Sequence, residues 1–133
     1  MIHIIMVLAL AAPIVLLPTH GDAQRPPIRL DCVFDRAAIP KEGIKKLDKL
    51  FEMSFVVDST TEKAFTIGNA GVNEVELETG SNAVTFLEAL ETGVVQSTTI
   101  VLDTMEAVHS RHTIILSILA PSQYYGSCST LTR

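Results

Sequence analysis

Apolar and polar residues alternate along most of this chain, and a period of two marks half-buried β-strands. In Ile28–Asp35, IRLDCVFD, one face carries Ile28, Leu30, Cys32 and Phe34, and the other Arg29, Asp31, Val33 and Asp35. Leu50–Asp58 repeats the pattern with Phe51, Met53, Phe55 and Val57. After the turn-forming Ser59–Glu62, a short partner strand at Lys63–Gly68 is expected to point Phe65 and Ile67 inward, which together reads as a hairpin. Gly68–Gly71, GNAG, supplies residues tolerant of positive φ, and Val72–Thr79 then sets Asn73, Val75 and Leu77 against Val72, Glu74, Glu76 and Glu78. Glutamates gathered on one face indicate solvent. Same-face strand neighbours stand about 7 Å apart, too far for that acidic row to close around one cation.

Three further apolar or β-branched runs follow: AVTFLEAL after GSN, VVQSTTIVL after ETG, and EAVHSRHTIILSIL after DTM. Short Gly, Asn, Asp, Ser and Thr clusters between runs are what successive antiparallel hairpins require. The turn spacing favours a strand for AVTFLEAL despite its helix-forming composition. Ala37–Lys49 is different: Pro40 and Gly43 break regular structure while Ile44, Leu47 and Leu50 recur at helical spacing, so a loop with one helical turn is expected there. The sum is an all-β antiparallel meander of about seven strands, closing as a small barrel or a sandwich.

Hydrophobic residues make up 47% of the 133-residue chain, a share raised by its first two dozen positions. Ile4–Leu17, IIMVLALAAPIVLL, is uncharged and followed by PTHGDAQ with small residues at Gly21 and Ala23, the pattern of a signal peptide cut after Ala23. Its apolar run is shorter than the roughly 20 residues that span a bilayer as a helix, although no Lys or Arg precedes it. Residues 1–23 are therefore expected to be a leader and residues 24–133 one exported domain, periplasmic or secreted, with no stable membrane span once the leader is gone. A domain of that length buries about 65% of its unfolded surface, enough for one core.

The net charge of −5 argues against nucleic-acid binding, which needs a basic stripe. The basic cluster Lys41–Lys49 is interrupted by Glu42 and Asp48 and reads as solvated surface. Two cysteines, Cys32 and Cys128, stand near opposite ends of the expected mature domain. In an exported chain an even count points to a disulfide, here with a single pairing. Neither cysteine has the spacing of a metal pair or a neighbouring base.

Candidate chemistry concentrates in Ala107–Leu116, AVHSRHTIIL. On a strand His109 and Arg111 share one face and His112 takes the other, so the histidines diverge and cannot hold one zinc. No metal or other cofactor is implied, and no nucleophile motif accompanies the histidines. The simplest expectation is that the His-x-Arg face lies against an acidic strand such as Val72–Glu78 and makes cross-strand charge pairs. The tail Ala120–Cys128, APSQYYGSC, joins a proline stop to paired tyrosines suited to capping a β core with their hydroxyls in water. If one surface binds a partner, His109, Arg111, Tyr124 and Tyr125 combine the cationic, hydrogen-bonding and aromatic groups for it. The function expected is a non-enzymatic module that binds a protein or small ligand. The alternatives are a small hydrolase using His109 or His112, or a structural envelope protein.

Overall fold

A computed structural model describes residues 25–69 and 71–131; the expected leader lies outside them. Eight strands follow one another as β1 (Ile28–Ile39), β2 (Gly43–Asp58), β3 (Lys63–Gly68), β4 (Gly71–Thr79), β5 (Ala83–Ala89), β6 (Val95–Val101), β7 (Glu106–Ile115) and β8 (Ile118–Thr130). Each pairs antiparallel with the next, and β8 returns to β1, so the meander closes as a barrel. Closure removes both sheet edges. The disulfide forms across this closing seam, between the directly facing Cys32 and Cys128.

The eighth strand comes from the Ala107–Cys128 region, where the sequence predicts one long strand and a proline-stopped tail. Leu116 and Ser117 both adopt positive φ, 48° and 64°, the backbone of a tight two-residue hairpin turn. The strand continues through Pro121, which is harmless there because β1 pairs with β8 only as far as Ala38↔Gln123. A proline in a ladder is tolerated where one side is unpaired.

Ala37–Lys49 also departs from expectation, forming a hairpin with no helical turn. Pro40 and Lys41 occupy its corner, Lys41 has φ 69°, and Glu42 N–H donates to the Ile39 carbonyl at 3.1 Å, an arrangement fitting a type II turn with proline at its second position. At Asp35 the register of β1 shifts against both neighbours: Phe34 faces Phe51, but Arg36 faces Lys46. This bulge reverses the side-chain parity of β1. Leu30, Cys32 and Phe34 are buried before it, and Ala37 after it.

The barrel interior is a continuous core of Leu30, Cys32, Phe34, Phe55, Ala64, Val75, Phe86, Ile100, Ala107 and Cys128. Phe55 and Phe86 stack across it with ring centroids 4.0 Å apart. Their bulk explains a further correction: in β3 the small Ala64 and Thr66 face inward, not Phe65 and Ile67. Cross-strand partners share a face, and β3 aligns Thr66 with Phe55 and Ala64 with Val57. In β4, Val75 is buried and Glu74, Glu76 and Glu78 are exposed, as the alternation predicts.

Candidate ligand site at the barrel mouth

Along the strands the interior changes character. Towards the end holding the β1–β2, β3–β4, β5–β6 and β7–β8 turns, inward positions become polar: Thr66, Glu88, Gln96, Thr98, His109 and Arg111. A cavity of about 290 Å³ opens at this end, its wall including Phe51, Met53, Thr66, Glu88, His109 and Arg111. That volume lies just under the roughly 300–1,000 Å³ typical of ligand pockets.

His109 is the centre of the arrangement. It is only 2% exposed, set among the rings of Phe34, Phe51 and Tyr124 at centroid distances of 6.0, 5.4 and 6.0 Å. Burial, reinforced by the nearby Arg111 cation, lowers its pKa from 6.5 to about 4, so at neutral pH the imidazole is uncharged. Its Nδ1 lies 2.7 Å from Thr98 Oγ1, whose hydroxyl also donates across the barrel to Met53 Sδ at 3.8 Å. A hydroxyl has one hydrogen. Both bonds are made together when the imidazole proton sits on Nδ1, leaving an acceptor lone pair on Nε2.

That Nε2 is buried and has no partner among the described residues, and the same holds for the Thr66 hydroxyl. Both residues line the cavity. An unpaired buried polar atom costs about 1–3 kcal/mol, so two in residues lining one cavity, from β3 and β7 on opposite sides of the barrel, are an opening for a ligand's polar groups. The carboxylate of Glu88, itself buried, accepts a short hydrogen bond from Gln96 Nε2. Arg111 is half-buried and faces Gln96 and Ser122 on its two neighbouring strands.

The histidine cluster is thus on a strand, and its histidines diverge: His109 is buried and His112 exposed. The expected pairing of the His-x-Arg face with Val72–Glu78 does not occur. β7 lies between β6 and β8, and the face points into the barrel; the glutamate row instead meets Lys63, whose Nζ is 3.0 Å from Glu74. Of the four candidate binding residues, the structure brings together His109, Arg111 and Tyr124, whose ring packs on Phe51 at 5.0 Å. Tyr125 has the opposite strand parity, and its hydroxyl donates to Gln123 at 2.9 Å. Glu88, Gln96, Thr66 and Thr98 are additions. Parity carried a signal for them, since Glu88 shares a face with Val84 and Phe86, and Gln96 and Thr98 share one with Ile100.

The buried histidine makes stability depend on pH. Its native pKa lies below the unfolded one, so between them the unfolded chain binds the extra proton and stability decreases as the pH is lowered. The expected loss from His109 is about 3 kcal/mol between pH 6.5 and about 4. Urea unfolding at about pH 7 and about pH 4.5 should show it in the wild type, and a His109→Phe variant should lack most of the difference. An equal pH response in both proteins would place its origin elsewhere.

Fold and site together define a small, closed, up-and-down β-barrel with an apolar floor and a polar, ligand-sized mouth. Compared with known protein families, curated proteins and solved structures, the chain matches none.

Proposed function

We propose that this protein is an exported β-barrel that binds a small molecule in its mouth, with an apolar body resting on Phe51 and Met53. Its polar head is a hydroxyl or N–H that donates to His109 Nε2, and it also presents an acceptor to Arg111. The observation that carries this reading is the buried, neutral His109, which lines the cavity and whose Nε2 has no partner among the described residues. Export is supported by the leader pattern of residues 1–23 and by a disulfide, a bond that persists in oxidising compartments. The outer surface supports a barrel standing in water: Arg29, Asp31, Lys63 and the glutamates of β4 project from it, whereas a membrane barrel is apolar outside and polar within.

Catalysis through His109 is less well supported. The Thr98 hydroxyl beside it does not line the cavity, and an imidazole of pKa about 4 is a weak base where one near 7 is wanted.

Non-denaturing mass spectrometry of protein recovered from the exported fraction tests the proposal. The expected species begins at Gln24, is two hydrogens lighter than the reduced chain, and retains a small added mass that His109→Phe loses. A full-length chain with free thiols would overturn export. Wild-type and variant proteins of equal ligand content would overturn the site.

A further inference from the structure

The β7–β8 hairpin outruns its neighbours. β6 last pairs with β7 at Gln96↔Arg111, and β1 last pairs with β8 at Ala38↔Gln123, so His112–Pro121 projects from the mouth end as a free two-stranded ribbon. With four residues in each strand, it reaches roughly 14 Å beyond the wall. Apart from Ser117 in the turn, its tip is apolar: Leu116 is 92% exposed, and Ile114, Ile115, Ile118 and Leu119 are each more than half exposed.

The apolar residues occupy both faces. Cross-strand partners share a face and strand neighbours oppose, so the pair Ile114↔Leu119 covers one side and Ile115↔Ile118 the other. A folded partner laid against the ribbon would cover one side and leave the other in water. A fluid apolar medium surrounds both. The outer edges of the ribbon retain unpaired backbone groups, which confines it to the headgroup and upper acyl region, about 5–10 Å deep, where water and headgroups satisfy them.

Charge points the same way. The β1–β2 turn lies against the base of the ribbon, where Ile39 and Pro40 share a shallow hollow with His112 and Pro121. This neighbouring hairpin carries Lys41, Lys45 and Lys46 against one acid, Glu42, which pairs with Lys45 at 2.7 Å and leaves Lys41 and Lys46 as its excess cations; Ile39 and Ile44 are exposed beside them, in a chain whose net charge is −5. An apolar fingertip beside a basic hairpin is the combination that holds a protein on anionic lipid. We propose that the β7–β8 ribbon docks this barrel on anionic lipid bilayers, with Leu116 as the deepest residue. The inference is independent of the cavity.

Co-sedimentation of the purified protein with vesicles provides the test, using phosphatidylcholine mixed with phosphatidylglycerol against phosphatidylcholine alone. Binding is expected to the anionic vesicles and to weaken with salt. Leu116→Asn suits the positive φ of the turn, so it should unfold like the wild type yet partition at least about tenfold more weakly. Because the chain has no tryptophan, Leu116→Trp adds a single indole whose emission should shift to the blue on anionic vesicles. Wild-type protein left in the supernatant with both vesicle types would overturn the proposal. Equal partitioning of Leu116→Asn, or an indole emission unmoved by vesicles, would do the same. A wild-type dimer that Leu116→Asn dissociates, without vesicle binding, would reassign the ribbon to contact between copies.

Discussion

Replacing Gly126 with alanine should open the barrel at its closing seam and cost about 3–5 kcal/mol, a large share of the roughly 5–15 kcal/mol that holds an ordinary domain folded. Gly126 of β8 faces Phe34 of β1 on one side and Ala107 of β7 on the other. A Cβ placed on it would stand 2.0 Å from the Val33 carbonyl oxygen and 2.6 Å from Phe34 Cα. These are backbone atoms, unable to swing away as a side-chain end would. The crowding arises beside the bulge at Asp35, where the β1 backbone lies close against Gly126 of its ladder partner β8, and such close approach is what glycine in a strand permits. Relief requires one of the two strands to move, which breaks the ladder holding the barrel shut. Urea unfolding followed by far-ultraviolet circular dichroism measures the loss. Gly68→Ala is the control, since a Cβ there meets nothing within 4 Å; a Gly126→Ala midpoint equal to the control's would show that the seam yields without cost.

Removing the disulfide is the second large effect. Cys32 and Cys128 are 96 residues apart in sequence, and in the chain-entropy account a loop near that length raises stability by about 4–5 kcal/mol by restricting the unfolded chain. The Cys32→Ala, Cys128→Ala double variant leaves no buried polar atom and should lose that amount, read from its urea midpoint. The wild type under strong reductant should approach the same midpoint. Both cysteines are nearly inaccessible, so reduction should be slow in native buffer and quick once urea loosens the seam. A double variant as stable as the oxidised protein would mean that the seam's backbone pairing suffices.

Much of this architecture was legible in the chain because period-two alternation is a local property. The inward faces of β1 before its bulge, of β2 beyond Phe51 and of β4 all follow from it, as does the pairing of the only two cysteines. Failures occurred where a local signal competed with a distant partner. Ile44, Leu47 and Leu50 imitate a helix face, but β1 was available to pair with that segment. In Lys63–Gly68 the larger apolar residues suggested the inward set, yet β2 fixed the register and the space left beside Phe55 suited Ala64 and Thr66. The turn at Leu116–Ser117 lacks the Asn-Gly chemistry that normally announces a two-residue hairpin, so the sequence pattern predicts one strand where two exist.

The candidate site shows the same division. Alternation separated His109 from His112 and joined His109 to Arg111. It did not say that this polar face looks into a barrel, because polar residues on one strand face ordinarily mean water. Only closure, a relation between the first and last strands, turned that face inward beside Glu88 and Gln96 from other strands.

Joining its first strand to its last also gives the fold a timetable. Local hairpins form as soon as their two strands exist, but the β1–β8 pairing waits on the most distant contacts in the barrel, and distant contacts form slowly. Until β8 arrives the molecule is a curled seven-strand ribbon with two raw edges, the state in which β-proteins stick to one another. A chain emerging amino end first keeps those edges open until its last strand is available. Covalent latching of Cys32 to Cys128 then marks the moment at which the exposure ends.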